Sequence, residues 1–141
     1  MVLDLTPLKK ALTSLSEAIE STTDVEFIAK LTAAQQRTMR AGVIQNFEFS
    51  YELSWKMLRR QLKEEEGEET ITTLSRRDLY RFAAQKGLLD DPQQWFVFHR
   101  SRNETSHTYD EKTAEEVYNI TLQFLPSAEC LLQRLIERQL S

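Results

Sequence analysis

Glycine, proline and cysteine are scarce in this chain of 141 residues, which has three glycines, three prolines and one cysteine, Cys130. Sandwiches and barrels of β-strands use glycine and proline at their tight turns, so this scarcity argues against an all-β protein. A single cysteine excludes a disulfide framework and any metal site that needs several cysteines.

Long apolar runs are also missing, since no stretch approaches the ~18 residues that a membrane-spanning helix needs. Residues 1–10 lack the basic start, apolar stretch and cleavage site of a signal peptide. We therefore expect a cytoplasmic protein without a membrane anchor. The net charge of −4 disfavours a general duplex nucleic-acid binder but leaves room for a local basic cleft. The length suits one domain, residues 1–141.

Apolar residues recur every three or four positions over most of the chain, which predicts an all-α protein. Capping residues and prolines then mark where the helices begin. The predicted helix starts are Thr6-Pro7, Asp24, Thr32 with Gln35, Ser75 with Asp78, Asp91-Pro92, and Thr113 with Glu116. Together they predict an antiparallel up-and-down bundle of about five helices.

The longest predicted helix covers residues 33–63 and carries two apolar stripes. The first stripe consists of Ile44, Phe47, Tyr51, Trp55, Leu58 and Leu62, and the second consists of Phe49, Leu53 and Met57. At about 100° per residue the two stripes lie nearly opposite each other. This predicts burial on two sides, either inside the bundle or between the bundle and a second chain. The acidic run at 64–69 is expected to be a solvated loop.

Residues 102–110 are almost wholly polar and lie between two strongly patterned helices, where functional groups concentrate. On one continuous helix Arg102 and His107 would point about 140° apart. They can converge only if the helix ends between them or if two chains supply them. Imidazole beside guanidinium suits phosphate chemistry, although the same spacing also fits a surface ion pair and a capping group. Tyr109 adds a hydroxyl that can bind a substrate or accept a modification.

The other chemically interesting residues offer less. His99 is expected to lie partly exposed on the helix of Trp95, with a structural role. Two histidines and one cysteine, eight or more residues apart, do not form a recognisable metal site. The glycine-rich motifs that bind phosphates or dinucleotides are absent from the sequence, so neither a metal nor a cofactor is predicted.

The segment from Arg102 to Tyr109 reads R-x4-H-x-Y, with Asn103 directly after the arginine. This resembles the signature of the HepT-like branch of the HEPN superfamily, first described as substrate-binding subunits of small nucleotidyltransferases. From about Val25 onward, further segments resemble landmarks of that branch in the same order. They are residues 46–56 (NFEFSYELSWK), 75–78 (SRRD), 87–91 (GLLDD), Trp95, 106–110 (SHTYD) and 114–118 (AEEVY).

The resemblance implies a dimeric helical bundle in which the R-x4-H elements of two chains face one cleft. It implies a metal-independent endoribonuclease, the toxin of a toxin–antitoxin pair, with Arg102 and His107 as catalytic residues and Asn103 contacting the RNA substrate. The implied partner is a minimal nucleotidyltransferase antitoxin, which in part of the branch transfers AMP to the tyrosine that corresponds to Tyr109. Two alternatives stay open: a non-catalytic substrate-binding or adaptor subunit of a small nucleotidyltransferase, and a helical bundle that serves interaction only.

Overall fold

The chain folds into helices joined by short turns, and the computed structural model describes residues 2–140. The helices are α1 (Thr6–Thr23), α2 (Val25–Ala29), α3 (Ala33–Glu66), α4 (Glu68–Thr72), α5 (Arg76–Gln85), α6 (Pro92–Glu104) and α7 (Glu111–Leu140), with a 3₁₀ turn at Thr105–His107. This confirms the predicted all-α fold, in which five longer helices form the bundle and α2 and α4 have five residues each. Within residues 2–140, every helix is too short or too polar to cross a bilayer.

Hydrogen bonds between the long helices fix their directions. They are Leu3 N to Gln139 Oε1 (2.9 Å), Thr22 Oγ1 with Tyr118 Oη (2.7 Å), Ser14 Oγ to Asn46 Oδ1 (2.7 Å), and Ser50 Oγ to the Ala11 carbonyl (3.2 Å). Because the paired residue numbers run in opposite senses, α1 is antiparallel to both α3 and α7. The segment α4–α6 returns the chain between them, so α3 and α7 run in the same direction.

Most of the predicted helix starts are confirmed by side-chain caps, because these signals act within three residues. Asp24 accepts from Phe27 N, Thr32 and Gln35 form a capping box, Ser75 accepts from Asp78 N, and Asp91 accepts from Gln93 N. After α5, Gly87 has a φ of 79°, and Leu88 N donates to the Ala83 carbonyl at 2.9 Å. Glycine adopts this left-handed conformation without strain, so Gly87 ends the helix as predicted.

Two predicted helix caps are shifted, one by a single residue and the other by three. At α1 the cap position is Leu5 rather than Thr6, and Asp4 Oδ1 accepts from Thr6 N at 3.0 Å. At α7 the cap is Asp110 rather than Thr113, because Asp110 Oδ2 accepts from both the backbone N and the hydroxyl of Thr113. Each time, an aspartate just upstream serves the helix start in place of the threonine.

The acidic run at 64–69 does not form the predicted loop. Helix α3 continues to Glu66, and Gly67, with a φ of 95°, separates it from α4. Glu65 pairs with Arg138, and Glu66 lies 3.0 Å from the Lys86 ammonium. These ion pairs with other helices offset the repulsion between neighbouring carboxylates, so the helix continues.

The first apolar stripe of α3 builds the core, and the second does not lie fully inside the bundle. Phe47 and Tyr51 are buried against Phe124 of α7, whose ring lies edge-on to Phe47 at 5.1 Å between centroids. In the second stripe Met57 is buried, but Phe49 is 58% exposed. The single chain therefore leaves the start of that stripe uncovered.

Candidate functional site

Helix α6 ends within the polar segment because hydroxyl side chains satisfy its last carbonyls. Thr105 Oγ1 donates to the Arg102 carbonyl at 2.7 Å, and Ser106 Oγ donates to the Asn103 carbonyl at 3.3 Å. Thr108 Oγ1 continues the pattern by donating to the Thr105 carbonyl at 3.1 Å. Such local bonds compete with the helical ladder. The helix thus ends between Arg102 and His107, which is one of the two arrangements that the sequence requires for them to converge.

Arg102 is held at the last turn of α6 by a residue of α3. Its Nε lies 3.4 Å from Glu52 Oε1, and both side chains are about one-third exposed, at 32% and 33%. The buried Nε atom makes an ion pair with this carboxylate without hydrogen-bond geometry. Nη1 contacts the Thr105 hydroxyl at 3.4 Å. Glu52 therefore orients the guanidinium while part of it stays open to solvent.

His107 and Tyr109 lie on the exposed turn that follows. Their rings meet edge to face at an interplanar angle of 73°, with centroids 6.2 Å apart, and Tyr109 is 87% exposed. Asn103, on the last turn of α6, is exposed as well. The structure thus brings His107 to Tyr109 and Arg102 to Glu52, whereas the contacts of residues 2–140 do not join Arg102 directly to His107. The site is an open surface of the single chain.

Beside this surface lies a half-buried polar cluster that the sequence did not reveal. His99 Nδ1 lies 3.0 Å from both Tyr51 Oη and Arg76 Nη1, and Tyr51 Oη lies 2.5 Å from Tyr80 Oη. Since arginine only donates, Nδ1 accepts and the ring proton is on Nε2. His99 is partly exposed, as expected from the sequence, and its structural role stays a prediction. Its partners lie 48 and 23 residues away along the chain, so local spacing carries no signal for them.

Burial and charge keep this cluster neutral apart from Arg76. Burial, followed by the positive charge of Arg76, lowers the pKa of His99 below its usual value. Burial also raises the pKa values of the Tyr51 and Tyr80 hydroxyls. The cluster therefore anchors α6 to α3 and α5, with Arg76 as its charged member at neutral pH, one turn before Arg102.

The site's chemistry suits a phosphate ester. An imidazole can move a proton near neutral pH, and a guanidinium can bind phosphate oxygens with two parallel hydrogen bonds. Across residues 2–140, three or more histidine, cysteine, aspartate or glutamate side chains do not come together in the geometry of a metal site. The imidazole and the guanidinium are groups that serve acid–base and electrostatic catalysis.

The fold and this polar element define the class of protein. The family of nucleotidyltransferase substrate binding protein-like chains matches residues 3–137, so the chain belongs to that family. This confirms the resemblance to the HepT-like branch that the sequence motifs indicated.

One named protein and two solved structures resemble the chain over nearly its whole length. The chain is 36% identical over 137 residues to a Haemophilus influenzae protein named probable ribonuclease HepT, covering 96% of this chain and 94% of that one. A solved Haemophilus influenzae structure, presented as the fold of a substrate binding domain of a nucleotidyltransferase, matches with a TM-score of 0.89 at 36% identity, over 94% and 98% of the two chains. A Thermus thermophilus crystal structure matches with a TM-score of 0.68 at 28% identity, over 91% and 98%.

Proposed function

We propose that this chain is the ribonuclease toxin of a toxin–antitoxin pair and cleaves RNA without a metal ion. The observation that supports this most is the arrangement at the end of α6, where an oriented guanidinium is followed, past a helix break, by an exposed imidazole. The similarity over nearly the whole chain to a protein named probable ribonuclease HepT supports the same reading.

The proposed reaction is a transesterification within the RNA. The ribose 2′-oxygen forms a bond to the adjacent phosphorus, and the bond from phosphorus to the 5′-oxygen of the next nucleotide breaks. His107 takes the proton from the 2′-hydroxyl or gives one to the leaving 5′-oxygen. Arg102 stabilises the negative charge on the pentacoordinate phosphate, and Asn103 positions the substrate. The products are a 2′,3′-cyclic phosphate and a free 5′-hydroxyl.

A homodimer would complete this site. Phe49 is exposed on α3, one turn before the Glu52 that holds Arg102, so the uncovered stripe lies beside the site. A second copy packed there would bury Phe49 and place its own Arg102 and His107 opposite the first pair. Two imidazoles could then act as base and acid in one reaction, which one exposed imidazole cannot do at the same time.

The proposed antitoxin is a minimal nucleotidyltransferase that modifies Tyr109. With a side chain that is 87% exposed, the Tyr109 hydroxyl is accessible to another protein's active site. In the transfer, the tyrosine oxygen would bond to the α-phosphorus of ATP, lose its proton and release pyrophosphate. The added phosphate would repel an incoming RNA phosphate and pair with Arg102. Mass spectrometry of the pair with ATP and magnesium should show one added AMP that disappears in Tyr109→Phe, and an unmodified Tyr109 would contradict this step.

Cleavage in the presence of EDTA tests the ribonuclease proposal. The purified chain should cleave cellular RNA in EDTA, and His107→Ala should abolish cleavage while keeping the wild-type helicity and melting temperature. The matched control is His99→Gln, which changes the chain's other histidine, the one that lies on α6 itself. Cleavage that survives in His107→Ala, or that requires added metal, would remove the proposal.

The family description favours a second candidate, a non-catalytic substrate-binding subunit of a nucleotidyltransferase. Expression of the chain with and without its partner separates the two. A toxin should arrest growth and degrade RNA only when the partner is missing, whereas a substrate-binding subunit should do neither and should change the partner's activity.

A further inference from the structure

Four arginines lie over two aromatic rings on the surface formed by α3, α5 and α6. The Arg76 guanidinium carbon is 3.9 Å from the centre of the Trp55 ring, and that of Arg59 is 5.9 Å from it. Arg77 and Arg81 lie 4.6 and 5.3 Å from the centre of the Phe96 ring. Both rings flank Tyr80, at 6.5 and 6.4 Å between centroids, so the set is continuous. We call Arg59, Arg76, Arg77 and Arg81 the arginine face.

The arginine face has little acidic compensation. Several other arginines pair with carboxylates, as in Arg40 with Glu111 at 2.7 Å and Arg134 with Asp90 at 2.6 Å. On the arginine face, counting partners among residues 2–140, only Arg81 has a carboxylate within 4 Å, that of Asp78. A chain with 22 acidic and 18 basic side chains thus leaves three neighbouring arginines without an acidic partner.

Stacking on a ring prepares a guanidinium to bind an external anion. A guanidinium held over a ring keeps N–H groups that can donate to an anion. Arg76 is fixed further by its bonds to Tyr51 and His99. Because the side chains are already ordered, binding costs less conformational entropy than binding by free lysines. A planar, pre-ordered donor set of this kind matches phosphate oxygens.

The arginine face continues to the candidate catalytic residues. His99, which accepts from Arg76, lies three residues before Arg102 on α6 and therefore on a neighbouring part of its surface. Arg76 contacts the His99 ring, and burial together with the charges of Arg76, Arg102 and Arg77 lowers the pKa of His99. An extended polyanion lying on Arg77 and Arg76 would lead directly to Arg102.

We propose that the arginine face binds the backbone of single-stranded RNA on one side of the phosphate that is cleaved. This rests on the proposed ribonuclease function and adds a binding surface to it. Single-stranded RNA is the fitting ligand because arginines on aromatic rings bind its phosphates and also offer flat surfaces on which unpaired bases stack. The competing occupant is an acidic surface of the nucleotidyltransferase partner.

The salt dependence of RNA binding tests this proposal. Binding of a fluorescein-labelled 20-mer of uridine is measured by anisotropy from 50 to 200 mM KCl, in a His107→Ala background that leaves the RNA intact. The salt slope is the magnitude of the fall in log K with log salt. Each lost phosphate contact should lower this slope by about 0.7, which is about a fivefold loss of affinity at 0.1 M salt. Arg59→Gln with Arg77→Gln should therefore lower the slope by about 1.4 and the affinity about 25-fold. Arg76 is left unchanged because it also supports the His99 cluster.

The matched control is Lys10→Gln with Arg134→Gln, which removes the same charge elsewhere and should leave the slope unchanged. An equal fall in both double variants would reduce the effect to net charge and overturn the proposal. Unchanged RNA binding with loss of binding to the nucleotidyltransferase would assign the face to the partner, and also overturns it.

A separate cleavage assay on the chain without any substitution distinguishes failure of the arginine-face proposal from failure of the ribonuclease proposal. If the chain cleaves RNA but the salt slope is unchanged in Arg59→Gln with Arg77→Gln, the arginine-face proposal is wrong and the ribonuclease proposal stands. A slope that falls as expected without any cleavage supports the face and removes the ribonuclease. If the chain neither binds nor cleaves RNA, both are wrong.

Discussion

His99 and His107 lie on either side of the end of α6, eight residues apart. His99 has its Nδ1 occupied by Tyr51 and Arg76, whereas the His107 ring is exposed and contacts Tyr109 at 6.2 Å between centroids. A ring whose nitrogen is already bonded inside the protein serves the fold. A ring whose nitrogens face solvent can exchange protons with a bound substrate. The contrast teaches that, of two histidines in one short segment, contacts rather than sequence spacing separate the anchor from the candidate catalyst.

The largest expected effect concerns the candidate site, where Arg102 lies in the last turn before His107. Arg102→Ala should lower RNA cleavage about 10²–10³-fold, because the charge on the phosphate loses its stabilising donor. Glu52→Gln should lower it less, about tenfold, because the guanidinium stays but loses the carboxylate that orients it. Initial rates at saturating RNA measure both, and circular dichroism checks the fold.

The control for this pair is Glu48→Gln, one turn earlier on α3, which should cleave RNA like the unmodified chain. Rescue of Glu52→Gln by a shorter carboxylate, in Glu52→Asp, would separate an orienting role from a general loss of charge. An equal loss of activity in Glu48→Gln and Glu52→Gln would contradict the role of Glu52.

The next effect tests whether a second copy of the chain covers the Phe49 stripe beside the candidate site. Phe49→Asp should convert a homodimer to monomers and lower cleavage, because a charge cannot be buried in an apolar interface without a partner. Light scattering gives the mass and a cleavage assay gives the activity. Val25→Asp, at another exposed apolar side chain, is the control. A dimer that persists in a folded Phe49→Asp would exclude this stripe from the interface.

A smaller effect tests how much the contacts of His99 stabilise the fold. His99→Ala should lower the free energy of unfolding by about 1–3 kcal/mol, because Tyr51 and Arg76 are left without the acceptor. Urea unfolding measures the loss. His107→Ala, at an exposed ring, should stay within about 0.5 kcal/mol of the unmodified chain. The reverse order of stabilities would invert the assignment of the two histidines.

The smallest effect is a pH dependence of stability carried by His99. The charged and titratable groups around its ring are Tyr51 and Glu52 on α3, Arg76, Arg77 and Tyr80 on α5, and Arg102 on α6. Burial and the arginines lower the pKa of His99 in the folded state, so the unfolded chain takes up the proton first. This stabilisation is therefore complete above pH ~6.5 and is lost as the pH falls below it. Urea unfolding at pH 7.5 and 5.5 should show a smaller difference in His99→Gln, and an unchanged difference would contradict the assignment.

The parts of the fold that the sequence predicts well depend on contacts within one turn. The caps at Thr32, Ser75 and Asp91 need only a neighbour three or fewer residues away, and all three form. Helix α3, by contrast, continues past its predicted end because Glu65 forms an ion pair with Arg138, which lies 73 residues further along the chain. A local charge count cannot show such a partner, which is why the acidic run was predicted as a loop.

The candidate site divides in the same way. The end of α6 between Arg102 and His107 follows from the hydroxyl-rich segment, a local signal. Glu52 beside Arg102 and Tyr51 beside His99 come from α3, about 50 residues earlier, and only the packing of α3 against α6 brings them together. One signal in the sequence does mark them: both residues lie in the 46–56 segment that resembles the family's aromatic helix.

The hydrogen bond between Leu3 and Gln139 places the two ends of the described chain side by side. Helix α7 has 30 residues, so this junction lies about 45 Å from the turn that carries His107. The chain of the bundle therefore nearly closes on itself, and we expect its packing to survive when the chain is cut elsewhere. A short linker from residue 140 to residue 2, with new ends opened at Gly67 between α3 and α4, should give a circular permutant with the same helices. Reporter groups or surface tethers could then be attached at either junction, away from the turn that carries His107.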